Sequence, residues 1–170
     1  MATDGKNLSR FDKDRFPNAP KLNIGLAVAE WNASITGALY QGASETLKAC
    51  GVPAENIHKV EVPGAFELVY ACKKMQKKTY SKQGKRLLYK LDAIIAIGCV
   101  IRGETAHFDY VCQAVTHGIK SLNLNGSCPV IFCVLTDDTE QQSKDRSGGK
   151  HGNKGVEAAV AALQMAHLFS

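Results

Sequence analysis

The feature that most constrains the fold is a series of short apolar runs separated by segments of helical spacing. The run LDAIIAIGCV (Leu91 to Val100) is the clearest of them. Runs of this kind are typical of strands buried on both faces, as in a parallel sheet covered by helices. LNIGLAVAE and CPVIFCVLT are two further runs, and the more polar NIHKVEVPG is predicted as a strand that Pro63 ends.

The segments between these runs place apolar residues at helical spacing. The first begins at a candidate cap, Ser34, and stops at Gly51. Because strands alternate with helices, we predict an α/β domain of flavodoxin-like type, a three-layer αβα sandwich with a four-stranded parallel sheet. The later helices are predicted over AFELVYACKKMQKK, over residues 105–122 and over VEAAVAALQMAHLF.

Length and composition favour one domain. A chain of 170 residues can bury one substantial core. Residues 1–20 are polar and contain Pro17 and Pro20, so we expect a flexible N-terminal arm followed by a domain over residues 21–170. The chain shows no apolar stretch long enough for a signal sequence or a membrane span, and we expect a cytoplasmic protein without a membrane partner.

The net charge of +5 comes largely from one lysine-rich stretch, Lys73 to Lys90. A solvated loop or helix end and an RNA-binding patch are both compatible with it. No RNA-recognition pattern or zinc-finger spacing accompanies it, which favours the first interpretation and no nucleic-acid partner. The six cysteines lack C-x-x-C spacing and sit among apolar neighbours. We interpret them as reduced core residues and predict no metal site.

Polar or aromatic residues follow each predicted strand, where the carboxyl ends of parallel strands meet and ligands bind. The segments are Glu30-Trp31-Asn32, Pro63 to Glu67, Gly98 to Tyr110, and the turn beyond Phe132 and Thr136.

The segment after the third strand suggests an anion site with a base. Gly103 permits a sharp turn, and Thr105 is a candidate cap for the next helix. The first amides of a helix attract anions, and the same dipole disfavours an imidazolium at His107. A neutral His107 could accept a proton, although a histidine that only packs or caps the helix is the alternative.

The other segments suggest a ring, a polyol and a phosphate. Trp31 beside Asn32 suits a planar heterocycle, unless Trp31 is a core residue. Glu67 could bind hydroxyl groups or simply start a helix well. KDRSGGKHGNKG offers cations among glycines for a phosphate, or is a mobile surface turn. Neither a Walker A loop nor G-x-G-x-x-G is present, which disfavours triphosphate and dinucleotide ligands.

Taken together, these segments resemble the lumazine synthase family over roughly residues 22–168. The resemblance rests on Trp31-Asn32, PGAFEL, GCVIRGETAHFDYV, PVIFCVLT and the loop that contains GNKG. It implies condensation of 5-amino-6-(D-ribitylamino)uracil with 3,4-dihydroxy-2-butanone 4-phosphate to 6,7-dimethyl-8-ribityllumazine, the penultimate step of riboflavin biosynthesis. No cofactor or metal is implied.

The resemblance also implies roles for single positions. His107 would be the principal proton shuttle and Arg146 the cationic partner of the phosphate. Substrate-binding positions would be Trp31, Val100 and Ile101 at the ring, Asn32, Ala65, Phe66 and Glu67 at the ribityl chain, Gly103, Glu104 and Thr105 at the phosphate, with Phe132 and Lys154 as further site residues.

The implied assembly is a homo-oligomer, a pentamer or twelve pentamers forming a shell, with riboflavin synthase as a further candidate partner. Phe132, Arg146 and Lys154 would come from the neighbouring subunit. Glu104 would point away from the phosphate, and residues 77–90 would form a surface insertion away from the chemistry. A flavin-binding carrier without catalysis is a rival interpretation that suits the same fold.

Overall fold

The structure is a computed structural model that describes residue 12 and residues 15–78, 80–82 and 85–168. The strands are β1 (Ile24–Ala29), β2 (Ile57–Val62), β3 (Tyr80–Lys82), β4 (Lys85–Tyr89), β5 (Ala93–Ile101), β6 (Val130–Asp137), β7 (Ser147–Gly149) and β8 (Gly152–Asn153). The helices are α1 (Ala33–Ala49), α2 (Leu68–Lys77), α3 (His107–Asn125), α4 (Glu140–Arg146) and α5 (Lys154–Leu168).

The main sheet has four strands in the order β2-β1-β5-β6, and all neighbouring pairs are parallel. Every residue of β1 and the first seven residues of β5 are buried. Helices α1 and α5 contribute to the core on one face, and α2 and α3 contribute to the core on the other. The apolar runs are continuous because both faces of the central strands are covered, which confirms the predicted three-layer α/β fold.

The start of α1 differs from the prediction. Its N-cap is Asn32, which has a left-handed backbone with φ of 58° and whose main-chain carbonyl accepts from the N–H groups of Ile35 and Thr36. Asparagine tolerates this conformation better than most residues. Ser34 therefore lies within the helix, while Gly51, with φ of 99°, ends the following turn as predicted.

Packing begins earlier than residue 21. Phe16 and Ala19 are buried in the core that α1 and α5 share. The segment directly before β1 is therefore docked on the domain. Of the flexible arm predicted over residues 1–20, residues 1–11, 13 and 14 lie outside the described residues.

The lysine-rich stretch begins as the basic end of α2, with Lys74 and Lys77 in the last turn, which confirms the helix end that composition suggested. It continues into an antiparallel hairpin of β3 and β4 that was not predicted. It follows α2 and precedes β5. The hairpin is a separate two-stranded sheet that leads into the amino end of β5. Since β5 is parallel to its neighbours, this is the edge of the main sheet opposite to the carboxyl ends of its strands.

The glycine-rich segment after α4 is a second hairpin, of β7 and β8, held against α1. The side-chain amide of Asn153 donates to the carbonyls of Ala38, at 3.0 Å, and Ser147, at 3.3 Å, and its Oδ1 accepts from the N–H of Gly155 at 2.8 Å. A Cβ on Gly155 would collide with the carbonyl oxygen of Leu39, so only glycine permits this close approach. The contacts fix where α5, and with it Lys154, begins.

Candidate functional site

A hollow of about 620 Å³ opens at the carboxyl ends of β1, β2 and β5, beside the starts of α2 and α3. We call it the Trp31 hollow. It combines an aromatic ring, a carboxylate and an imidazole on largely apolar walls, which suits a small planar ligand with a polar tail. Its walls are Trp31, Asn32, Gly64, Ala65, Phe66, Glu67, Cys99, Val100, Ile101, His107 and Val111.

Gly64 lets two of these side chains lie close together. A Cβ at this position would stand 3.1 Å from Oε2 of Glu67 and 3.3 Å from Cδ1 of Trp31. The hydrogen of the glycine therefore leaves room for the ring and the carboxylate beside one another. Trp31 is 71% exposed, which excludes the alternative that it is a core residue.

Asn32 ties the hollow to the central sheet. Its side-chain amide donates to the carbonyl oxygen of Cys99 at 3.1 Å, linking the β1–α1 turn to β5. Among the described residues, its Oδ1 accepts no hydrogen bond and remains able to accept one from a ligand.

His107 is the first residue of α3 and is exposed on the wall of the hollow. The predicted capping by Thr105 is wrong in detail, because the N-cap is Ala106 and no side chain caps the helix. The Thr105 hydroxyl instead accepts from the N–H of His107 at 3.4 Å, a long contact. His107 therefore lies in the first turn of the helix, as the sequence predicted.

The β5–α3 loop is exposed at Gly103, Glu104 and Thr105, and these residues border the Trp31 hollow without lining it. Arg102, just before them, is not a free cation. It forms ion pairs with Asp109 at 3.2 Å and Asp138 at 2.8 Å.

A second hollow, of about 480 Å³, runs along the outer edge of β6. We call it the Arg146 hollow. Seven consecutive residues of β6 line it, so it follows the strand edge rather than one face of the sheet. The lining residues are Ile131, Phe132, Cys133, Val134, Leu135, Thr136, Asp137, Arg146, Lys154, Glu157, Ala158 and Ala161.

Each cation in the Arg146 hollow has an acidic partner. Arg146 Nε lies 3.5 Å from Oδ1 of Asp137, and Lys154 Nζ lies 2.7 Å from Oε2 of Glu157. Lys150, a further candidate cation of the KDRSGGKHGNKG stretch, does not line this hollow and pairs with Asp145 at 3.7 Å. The carboxylates of Asp137 and Glu157 therefore offset the positive charge of Arg146 and Lys154 in this hollow.

The two hollows have no lining residue in common. Two strand spacings, about 10 Å, separate β1 from β6. Three of the four predicted segments thus converge in one chain. The fourth, with Phe132 and Arg146, forms a site of its own.

Sequence reasoning missed the acidic partners. Glu157 follows Lys154 at i+3 within α5, a spacing that indicates a helical ion pair and could have been noticed. Asp137 gave no comparable signal, because its contact with Arg146 depends on how α4 folds back along β6.

The cysteines are free thiols, four of them buried. Burial raises the pKa of Cys133 to about 12 and that of Cys128 to about 11. Such groups stay protonated at neutral pH and pack as small apolar side chains. Within the described part of the chain, no helix is long and apolar enough to cross a membrane.

The parallel sheet covered by helices on both faces, with a ligand-sized hollow at its carboxyl edge, makes this chain an α/β protein of flavodoxin-like type with a small-molecule site at that edge. A family profile described as 6,7-dimethyl-8-ribityllumazine synthase matches residues 21–170. The chain belongs to that family.

Curated relatives of that name support the assignment. The chain is 55% identical to the one from Christiangramia forsetii, with 99% of this chain and 95% of the relative covered. It is also 55% identical to the protein of Flavobacterium johnsoniae, with 99% of this chain and 83% of the relative covered. Identity to the Porphyromonas gingivalis protein is 52%, with 99% of this chain and 98% of the relative covered.

Proposed function

We propose that the chain condenses 5-amino-6-(D-ribitylamino)uracil with 3,4-dihydroxy-2-butanone 4-phosphate to 6,7-dimethyl-8-ribityllumazine, releasing phosphate and water. The observation that carries this proposal is the Trp31 hollow, where an exposed ring, a carboxylate and an imidazole surround one space. Membership of the family supports the same reaction.

The Trp31 hollow holds the pyrimidine and its ribityl chain. Trp31 stacks on the ring, with Val100 and Ile101 beside it. The hydroxyl groups of the chain meet Asn32 and Glu67, together with the backbone at Ala65 and Phe66. A carboxylate accepts hydrogen bonds from several hydroxyl groups, and this orients the 5-amino group relative to the second substrate.

The phosphate of the butanone lies between the β5–α3 loop and Arg146. The backbone amides of Gly103 and Glu104 and the hydroxyl of Thr105 are exposed in that loop, at the positive end of α3. Arg146 supplies a guanidinium whose planar donors match a phosphate.

The chemistry requires proton transfer rather than a strong nucleophile. The 5-amino nitrogen attacks the ketone carbon, and loss of water gives an imine. Loss of a proton from C3 expels phosphate from C4 and leaves an enol, which takes up a proton at C4 and so becomes a carbonyl at C3. Attack of the ribitylamino nitrogen on this new carbonyl, with loss of water, closes the ring. His107, exposed at the hollow, accepts and returns protons between these steps.

A complete site needs two copies of the chain, because Arg146 and Phe132 line a different hollow from Trp31 and His107. A neighbouring subunit that presents its β6 edge to the Trp31 hollow brings the two together. We propose a homo-oligomer built on this contact, a pentamer or twelve pentamers. Riboflavin synthase is proposed as a partner that consumes the product.

The cytoplasm is the proposed compartment. All six cysteines are thiols, and Cys72, Cys99 and Cys133 are buried without a disulfide partner. Proteins of oxidising compartments commonly pair such residues.

The primary test mixes the assembled protein with both substrates and follows lumazine absorbance against the uncatalysed reaction. Acceleration supports the proposal. If a well-folded oligomer gives no acceleration and is purified with bound flavin, the carrier interpretation takes its place.

The shared site has its own test, which combines two weakened variants in one assembly. A Trp31→Ala/His107→Ala chain retains the Arg146 hollow, and an Arg146→Ala chain retains the Trp31 hollow. After the two are unfolded and reassembled together in equal amounts, random pairing restores about a quarter of the sites if they lie between subunits. Activity equal to the mean of the separate variants would contradict a shared site.

A further inference from the structure

The Arg146 guanidinium is anchored by a buried polar chain that reaches it from the central sheet. The thiol of Cys99 donates to Oγ of Ser143 at 3.3 Å, and the Ser143 hydroxyl donates to Oδ2 of Asp137 at 2.8 Å. The other carboxylate oxygen, Oδ1, faces Nε of Arg146 at 3.5 Å. Asp137 therefore faces donors on both sides, the Ser143 hydroxyl and the Arg146 guanidinium.

The hydrogen-bonded series from Cys99 to Asp137 is largely shielded from water. Ser143 is fully buried, and the Asp137 side chain is only 12% exposed. A carboxylate in such surroundings is unfavourable unless it is hydrogen-bonded and paired, so Asp137 is held by its two partners. Burial also raises the pKa of Cys99, which keeps the thiol a donor to Ser143.

The contact with Asp137 uses Nε and leaves the terminal nitrogens of Arg146 for a ligand. Among the described residues, no other hydrogen bond or ion pair involves that guanidinium. We propose that Asp137, held by Ser143, is a positioning residue that orients Arg146 toward the phosphate of the butanone substrate. This inference rests on the proposed function.

Electrostatics and positioning predict opposite signs for loss of the Asp137 charge. Removal of a negative charge near an anion site strengthens anion binding if only the field matters. If Asp137 orients the guanidinium, its removal weakens binding, because the flexible arginine must then be ordered by the ligand. The sign of the change therefore separates the two explanations.

Asp145 provides a matched control for Asp137. It precedes Arg146 in sequence, its side chain is 18% exposed, and it pairs with Lys150 instead of Arg146. Asp145→Asn removes the same charge from a similar degree of burial without touching the guanidinium.

The experiment measures KM for each substrate, kcat, and the affinity for inorganic phosphate by calorimetry, in Asp137→Asn, Ser143→Ala and Asp145→Asn. We expect Asp137→Asn to raise KM for the butanone phosphate about tenfold, with a parallel loss of phosphate affinity. KM for the uracil substrate and kcat change less than about twofold. Ser143→Ala shifts the same constants about threefold.

An unchanged or lowered KM in Asp137→Asn, as expected for Asp145→Asn, would overturn the inference. If Asp137→Asn fails to assemble, Ser143→Ala decides by the same criterion. A wild-type protein that binds phosphate through Arg146 without forming lumazine would refute the proposed function alone, and the calorimetric comparison would still decide the role of Asp137.

Discussion

The Trp31 hollow and the Arg146 hollow solve different recognition problems with different means. The first offers an exposed ring, apolar walls and polar side chains that await a ligand. The second offers two cations, and each already has a carboxylate beside it. Shape and stacking therefore dominate one hollow, and charge dominates the other.

The two hollows also differ in what their main side chains need in the free protein, before any ligand binds. The exposed Trp31 ring carries no charge and needs no ion partner, and Gly64 leaves room for it beside Glu67. A partly buried arginine does need one, because an unpaired charge in that position is unfavourable. The carboxylate that stabilises Arg146 in the free protein also restricts its orientation.

The largest expected effect comes from the Arg146 hollow. Arg146→Ala should raise KM for the butanone phosphate about hundredfold, or about 2.7 kcal/mol, because it removes a charge-assisted contact and leaves Asp137 unpaired. Steady-state kinetics measure it. Lys150→Ala is the matched control, since Lys150 pairs outside the hollow, and should change KM less than about twofold. Equal effects in both variants would mean that general charge, not Arg146 itself, binds the phosphate.

His107→Ala should lower kcat about tenfold. This is below the usual contribution of a general acid–base group, because the ring is exposed at the hollow and water can replace it. Single-turnover rates at saturating substrate measure the step. His117→Ala, exposed on the same helix and outside the hollow, should leave the rate unchanged, and an equal loss in both variants would point to a disturbed α3.

Trp31→Ala should raise KM for the uracil substrate about tenfold through lost stacking, and leave KM for the butanone phosphate unchanged. Since the side chain is 71% exposed, the melting temperature should stay the same. Trp31→Phe preserves a stacking surface and should recover most of the affinity. A similar rise of both KM values would show that the two hollows are not separate in recognition.

The smallest expected effect distinguishes the hollows without mutation. Raising salt from about 0.05 M to about 0.5 M should increase KM for the butanone phosphate roughly threefold, because screening weakens charge contacts. KM for the uracil substrate should not change, since burial of a neutral ring is insensitive to screening. Equal salt dependence of both constants would contradict the division into a stacking hollow and a charged hollow.

Much of the fold could be predicted from sequence because local patterns express it directly. The apolar runs at β1 and β5 are continuous since both faces are covered, and each predicted strand lies within a few residues of its observed position. The predicted caps of α1 and α3 differ from the observed caps by one or two residues. The backbone conformation makes Asn32 and Ala106 the caps, although Ser34 and Thr105 have the side chains that usually cap helices.

Parts of the candidate site could likewise be predicted from local sequence patterns, and other features could not. The order of strands and the residues that follow each of them were readable, and so was the placement of Trp31, Glu67 and His107 at one edge, since parallel strands end together. The lysine-rich hairpin was not readable, because composition describes charge and not pairing.

The amino-acid sequence by itself determined the parallel sheet, the residues presented at its carboxyl edge and the family to which the chain belongs. The family resemblance implied that Arg146 serves a neighbouring subunit, but only the tertiary structure located it in a hollow at the β6 edge and showed that Asp137, Ser143 and Cys99 connect it to the core. The physical reason is that periodicity and motifs describe neighbours along the chain. Contacts between Cys99 and Ser143 join residues 44 positions apart, and such contacts exist only once the sheet and helices have packed.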